Sequence, residues 1–180
     1  SPLWMLLLAA LGATESGPRL ASVGCGALSV WLFALQARRV CMTAAAAAAT
    51  CVWAGSLWLV RHAPNGMEST AAVTLVLLAF ELRARGPSRW RDLALGATLG
   101  GACLVRPELA LLPLLFGIAD VLDAHGRRRV ATWLPACLLP CAAWLLFAWW
   151  RVGHVLPDTV TAKSGGPQVA AAYAVVEGAA

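Results

Sequence analysis

The sequence predicts an all-α protein built as a polytopic transmembrane helix bundle. Three observations carry that expectation: 60% of the 180 residues are apolar, only 13% are charged, and the mean hydropathy is +0.72. A soluble domain is about 45–50% apolar and about 25% charged, so this chain has too few charges to cover a water-facing surface. The same composition excludes intrinsic disorder, which needs a low apolar content. The six cysteines sit inside apolar runs rather than at regular loop spacings. That pattern argues against a disulfide-stapled secreted domain and reads each cysteine as a small buried hydrophobe.

A bilayer core of about 30 Å is crossed by about 20 helical residues. Residues 2–13 read as a truncated span or a helix lying in the interface. Residues 20–37, 40–60 and 130–150 have span length or nearly so. Residues 67–82 reach it if Glu68 enters the membrane or Arg83 snorkels. Residues 93–105 and 109–122 are each too short to cross comfortably. Broken at Arg106-Pro107-Glu108, they read as two short helices that turn inside the membrane or just beneath the far interface, because Pro107 disfavours helical geometry at Arg106. The small-residue runs 44–49 and 96–100 suit close helix packing in lipid. Trp4, Trp58, Trp90, Trp133, Trp149 and Trp150 fall near span ends, where interfacial anchors belong. Residues 1–165 are expected to form one partial multi-span membrane domain, with 166–180 starting a further helix or a truncated outer region. No basic n-region ahead of residue 3 marks a signal peptide, and the chain reads as a piece of a longer protein.

Charge sorts the loops. The net charge is +5, and 13 of the 14 basic residues are Arg. With connections alternating sides, one side collects Arg38, Arg39, Arg83, Arg85, Arg89, Arg91, Arg127, Arg128 and Arg129. The other collects Arg19, Arg61, Arg106, Arg151 and Lys163. An excess of basic residues marks the cytoplasmic side, which makes the first group plain connectors at the head groups rather than a nucleic-acid surface. Asp120 and Asp123 then read as interfacial partners of Arg127–Arg129. The outer side gathers Glu15, Arg61, His62, Asn65, Glu68, Arg106, Glu108, His154, Asp158 and Lys163. Ionisable groups at membrane depth are costly and mark cavities or pathways. A polar cavity floored by the Arg106 turn is therefore expected on that face.

Three motifs supply its chemistry. In Asn65-Gly66-Met67-Glu68, a turn pair precedes a helix whose first turn holds Glu68. The carboxylate is either an ordinary partner of the helix dipole or a ligand for a sugar hydroxyl or a metal. In Arg106-Pro107-Glu108, the two charges form either an ion pair within the turn or a phosphate site built on the planar guanidinium. The segment 153–163, Gly-His-Val-Leu-Pro-Asp-Thr-Val-Thr-Ala-Lys, carries His154, Asp158 and the chain's only lysine, Lys163. It is either an interfacial loop with a snorkelling lysine or a flap that brings Lys163 to a phosphate. Cys137 and Cys141 lie one turn apart with no partner pair at zinc spacing. No Gly-rich phosphate loop, Ser-His-Asp order or HExxH motif is present.

Read in order, Gly-Met-Glu at a helix start, Arg-Pro-Glu between short helices, and Leu-Pro-Asp-Thr-Val-Thr-Ala-Lys after a span resemble the polytopic glycosyltransferases of the GT-C superfamily. Within it, the likeness is to polyprenyl-phosphate-sugar-dependent bacterial enzymes, including terminal arabinofuranosyltransferases. That group carries (Ser/Thr)-Gly-(Met/Leu)-Glu-Thr, Arg-Pro-(Asp/Glu) and Leu-Pro-Asn-Thr-x-x-Ala-Lys motifs in this order. They correspond here to residues 65–69, 106–108 and 156–163, with Asp158 in place of Asn. The resemblance covers nearly the whole chain through Lys163. It implies an integral protein of a bacterial inner or plasma membrane, with its active face outward, that transfers a sugar from a polyprenyl phosphate to a cell-envelope glycan or lipid acceptor. It implies an inverting enzyme with Glu68, Arg106, Glu108, His154, Asp158 and Lys163 as substrate-binding residues. It also implies a catalytic base in a first outer loop upstream of Ser1, so that the fragment itself is inactive. No cofactor is assigned; the polyprenyl-phosphate sugar is the donor substrate, and a divalent metal stays open. The rival readings are a multi-span transporter or flippase of lipid-linked or anionic substrates, since broken helices and intramembrane charges occur there too, and a non-catalytic membrane scaffold.

Overall fold

The computed structural model describes residues 2–10, 16–62, 68–123 and 126–152, which are helical with short connections and contain no strand. In chain order the helices are α1 (Pro2–Ala10), α2 (Gly17–Val40), α3 (Thr43–Ala54), α4 (Leu57–His62), α5 (Glu68–Ala84), α6 (Arg89–Val105), α7 (Leu111–Leu122) and α8 (Gly126–Val152). A 3-10 turn, Pro107–Ala110, links α6 to α7. Contacts divide the chain into a unit Ser1–Ala142 and a unit Ala143–Ala180. In the second, Trp144 and Phe147 pack ring to ring at 5.5 Å on the last turns of α8.

Two helices, α2 and α8, are long and apolar enough to cross a membrane by length and composition. Pro135 and Pro140 lie inside α8 without ending it. The expected span 40–60 is not one helix. α2 runs on to Val40, the chain breaks at Cys41-Met42, and a second break at Gly55-Ser56 separates α3 from α4. The second break has a local cause. Gly55 donates its N–H back to Cys51 O at 2.9 Å, and the Ser56 hydroxyl accepts the N–H of Leu59 at 3.4 Å, ending one helix and starting the next. The break at Arg106-Pro107 falls where the sequence placed it: Arg106 is extended, with φ −143° and ψ 114°, as a residue before proline requires.

In Ser1–Ala142, α5 packs against both α2 and α6. α2 and α5 run parallel, joined along their length by polar contacts. Ser22 Oγ lies 2.8 Å from Thr70 Oγ1, and Thr74 donates to Cys25 O at 2.7 Å. Further along, Gln36 donates to Leu77 O at 2.6 Å, and Arg39 Nη2 donates to Glu81 Oε1 at 2.6 Å. α6 and α8 also run parallel, in a register 37 residues apart that pairs Asp92 with Arg129. One turn on, a Cβ placed at Gly96 would overlap the carbonyl oxygen of Trp133; a further turn on, one at Gly100 would lie 2.5 Å from the carbonyl oxygen of Cys137. The small-residue run 96–100 is therefore a glycine contact between helix backbones. Its neighbours Ala79, Leu95, Leu99, Phe116, Trp133 and Cys137 form the core where α5 to α8 meet.

The arginines expected as plain connectors are partly built into this core. Glu81, 2% exposed, accepts from Arg39 and from Arg85 Nε at 2.9 Å. Asp92 holds Arg129 Nε at 2.7 Å. Asp120 does not pair with Arg127–Arg129. It sits 2.7 Å from Arg83 Nη2 and accepts the indole N–H of Trp133 at 3.0 Å, because the inward face of α7 meets α5 and α8 rather than the following loop. Arg83 also stacks over the Phe116 ring, 4.7 Å from its centre. Trp133 is thus a core residue, 1% exposed, and not an interfacial anchor, whereas Trp90 and Trp150 are largely exposed. The cysteines are not uniformly buried either: only Cys137 is, while Cys41, at the end of α2, and Cys51, on α3, are exposed.

Candidate functional site

The opposite end of the α5–α6 pair from these arginines holds the candidate site. Glu68 is the first residue of α5, and Arg106 follows the last residue of α6. Because the two helices are antiparallel neighbours, the start of one lies beside the end of the other. The α6 helix is capped by the Arg106 N–H, which donates to Ala102 O at 2.9 Å, and the Arg106 carbonyl accepts the N–H of Leu109, opening the 3-10 turn. The extended backbone forced by Pro107 turns the Arg106 side chain away from its own turn and onto α5. There Nη2 donates to Ser69 Oγ at 2.7 Å, and Nε lies 3.9 Å from Glu68 Oε1.

This geometry bears on one reading of the Arg-Pro-Glu motif, the ion pair within the turn. Arg106 pairs across helices with Glu68 and Ser69, not within the turn with Glu108, which is exposed. The contact with Glu68 is long, and the Arg106 Nε is buried without a hydrogen-bond acceptor. The side chain as a whole remains 42% exposed and that of Glu68 32%. A guanidinium anchored on one edge by a buried serine, with the side chain as a whole still open to solvent, can donate to an anionic oxygen without being repositioned. Glu68 stands in the first turn of α5, where its charge suits the helix dipole.

Beside the pair, Ser22 from α2 joins Thr70 from α5 and donates to the His62 carbonyl at 3.3 Å, so the end of α4 is tied to the same end of the layer. Ser69, Ser22 and Thr70 are buried. Sequence reading singled out none of these three by itself, although Ser69 closes the 65–69 motif. The signal for Thr70 was small hydroxyl residues four apart on one face of α5, Thr70 and Thr74. Of the predicted site residues, the structure brings Glu68 and Arg106 together and leaves Glu108 on the surface of the turn. His154, Asp158 and Lys163, together with Glu15, Asn65, Gly66 and Met67, lie outside the described residues.

Described residues form an open groove of about 660 Å³ along α7 and α8, with Cys103 of α6 on its wall. It starts next to the Arg106 turn, at Ala110, and extends to Leu122 at the other end of α7. Its lining is apolar because helix faces make it; most residues of the polar cavity expected from the loops lie outside the described residues. Among the described residues, no group of three or more His, Cys, Asp or Glu side chains is placed to hold a metal ion. No protein-family model matches the chain, and no curated protein and no solved structure matches it.

Proposed function

We propose that this chain is a multi-span membrane protein that binds the phosphate of a lipid-linked sugar at Arg106 and serves its transfer to an acceptor outside the cytoplasm. The observation that carries the reading is the Arg106 guanidinium, held by Ser69 beside Glu68 with its side chain still 42% exposed. A membrane setting is supported by α2 and α8, whose most apolar stretches are only 22% and 11% buried. Leu20, Val23 and Trp31 on α2 and Leu138 and Leu139 on α8 are exposed. Apolar helix faces of this size are stable against lipid and unfavourable against water. The charges point the same way, with Arg39, Arg83, Arg85 and Arg129 gathered at the end away from Arg106. With that end cytoplasmic, Arg106 faces outward.

In this reading the lipid tail follows the apolar groove that begins at Ala110, which brings its phosphate to the Arg106 turn and its sugar toward Glu68. A cation at the leaving phosphate stabilises the charge that develops as the glycosidic bond breaks, and a carboxylate takes the acceptor proton. The three-motif resemblance to GT-C glycosyltransferases favours transfer over transport. So does the place of Arg106, at one end of the α5–α6 pair rather than halfway along it, where a transport site would sit.

The test is binding of a short-chain polyprenyl phosphate to the protein in detergent, by native mass spectrometry, together with sugar transfer in vesicles that contain the full-length protein. Arg106→Ala should weaken binding by roughly 10–100-fold, as loss of a charge-assisted hydrogen bond of about 1.5–3 kcal/mol implies, and should abolish transfer while membrane insertion is kept. Unchanged binding and turnover in that variant would remove Arg106 from the function.

A further inference from the structure

We infer that the arginine end of the helix layer is a binding surface for anionic phospholipid, with Arg38, Arg89, Arg127 and Arg128 donating to the phosphate oxygens of the headgroups. Contacts between helices bring this end together. Arg39 on α2 meets Glu81 on α5, and α6 starts a few residues after α5 ends. Asp92 in the first turn of α6 then holds Arg129 in the first turn of α8. α7 arrives at the same end, where Asp120 meets Arg83.

The charges at this end divide by burial. Glu81, Asp92 and Asp120 are buried, and each is already engaged, with Arg39 and Arg85, with Arg129, and with Arg83. Arg91 donates to the Arg85 carbonyl oxygen. Asp123 is the one exposed carboxylate at this end among the described residues. Arg38, Arg89, Arg127 and Arg128 are exposed, and none of their guanidinium groups has a hydrogen bond or an ion pair among the described residues. The carboxylates are thus used up inside the layer, and the excess positive charge is presented outward. A guanidinium offers a planar fork of donors that matches two oxygens of a phosphate.

The apolar surface beside these arginines selects the partner. Val40 and Met42 follow Arg38 and Arg39, Trp90 stands between Arg89 and Arg91, and Leu122 ends α7 shortly before α8; all four are largely exposed. Arginines and an aromatic ring at the rim of exposed apolar helix faces match a layer of phosphates above acyl chains. A nucleic acid would neutralise the charge and leave the apolar groups in water. A lipid covers both, with its phosphate on the guanidinium groups and its chains against the exposed apolar faces of α2 and α8. The inference rests on the membrane setting proposed above and on neither Arg106 nor sugar transfer.

The experiment incubates the intact chain in detergent with equal amounts of dioleoyl phosphatidylglycerol and dioleoyl phosphatidylcholine and reads the bound lipid by native mass spectrometry. The anionic lipid should be retained preferentially, and the preference should shrink as salt is raised and the screening length falls from about 30 Å to about 3 Å. Each surface arginine removed should lower affinity for the anionic lipid about fivefold. Arg127→Gln/Arg128→Gln should therefore weaken its retention about 25-fold, with the melting point unchanged because neither guanidinium holds another group. Arg19→Gln/Arg61→Gln removes the same charge from exposed positions at the opposite end and should leave the preference in place. Equal retention of the two lipids by the unmodified chain would overturn the inference and spare the membrane setting; binding of neither would overturn both. Equal losses from the two double variants, or displacement of bound phosphatidylglycerol by a short DNA duplex at matched phosphate concentration, would also overturn it.

Discussion

Replacing Gly96 by Ala should destabilise the protein by about 1–3 kcal/mol, the usual cost of forcing an extra carbon into a packed interface. A Cβ at Gly96 overlaps the carbonyl oxygen of Trp133 and lies 2.7 Å from the Ala136 Cβ. Neither is the end of a flexible side chain, so no rotamer change relieves the clash. The helices must part by roughly 1 Å, and a gap of that size forfeits about a quarter to a half of each affected dispersion contact. The same movement strains the Asp92–Arg129 pair, which sits one turn earlier at 2.7 Å. Gly24, on α2, supplies the opposite case. Nothing lies within 4 Å of its Cβ position, so Gly24→Ala should stabilise by about 0.5–1 kcal/mol through helix propensity alone. Thermal unfolding in one detergent, followed by tryptophan fluorescence, separates the two, since a chain of this size shifts by about 2–4 °C per kcal/mol. The melting point should fall for Gly96→Ala and rise for Gly24→Ala. Shifts of the same sign, or an unchanged melting point for Gly96→Ala, would refute the backbone contact between α6 and α8.

Three further outcomes follow from the buried charges. Asp92→Ala leaves Arg129, whose side chain is only 12% exposed, as an uncompensated charge; it should cost about 3–5 kcal/mol, much of it recovered in an Asp92→Leu/Arg129→Met double variant. A double variant as unstable as the single in chemical denaturation would show that the pair is not the cause. Arg39→Ala and Arg85→Ala should each cost at most about 1 kcal/mol, because these side chains are 40% and 50% exposed. The two together should exceed their sum, since Glu81 then loses both partners; strict additivity in the double-mutant cycle would argue against the shared carboxylate. Trp133→Phe keeps an aromatic ring but removes the N–H that Asp120 accepts at 3.0 Å. It should cost about 1.5–3 kcal/mol by equilibrium unfolding, and a variant as stable as the parent chain would show that the bond contributes nothing.

What could be read from the chain alone was whatever acts over a few residues or over bulk composition. The apolar fraction and the lengths of the runs called for helices. Pro107 dictated an extended Arg106, and the 96–100 run marked a close helix contact before its partner was visible. Arg39, Arg83, Arg85 and Arg129, sorted to one side by charge, do fall at the end away from Arg106, because alternate helix ends fall together when helices pack side by side. The interruption at Gly55-Ser56 was missed because one glycine and one serine barely dent the hydropathy of residues 40–60.

The tertiary structure decided every partnership across helices. Arg106 meets Ser69, 37 residues away, instead of Glu108 two residues away; Arg83 meets Asp120; Arg39 and Arg85 share Glu81. Trp133 turns inward although its position near a span end suggested an anchor. The physical reason is that α2 and α8 carry apolar residues around much of their circumference, so no polar stripe in the sequence tells the inward face from the outward one. Rotation and register are then set by where glycines allow backbones to touch and where buried carboxylates find guanidinium partners, and both conditions exist only once the helices are side by side.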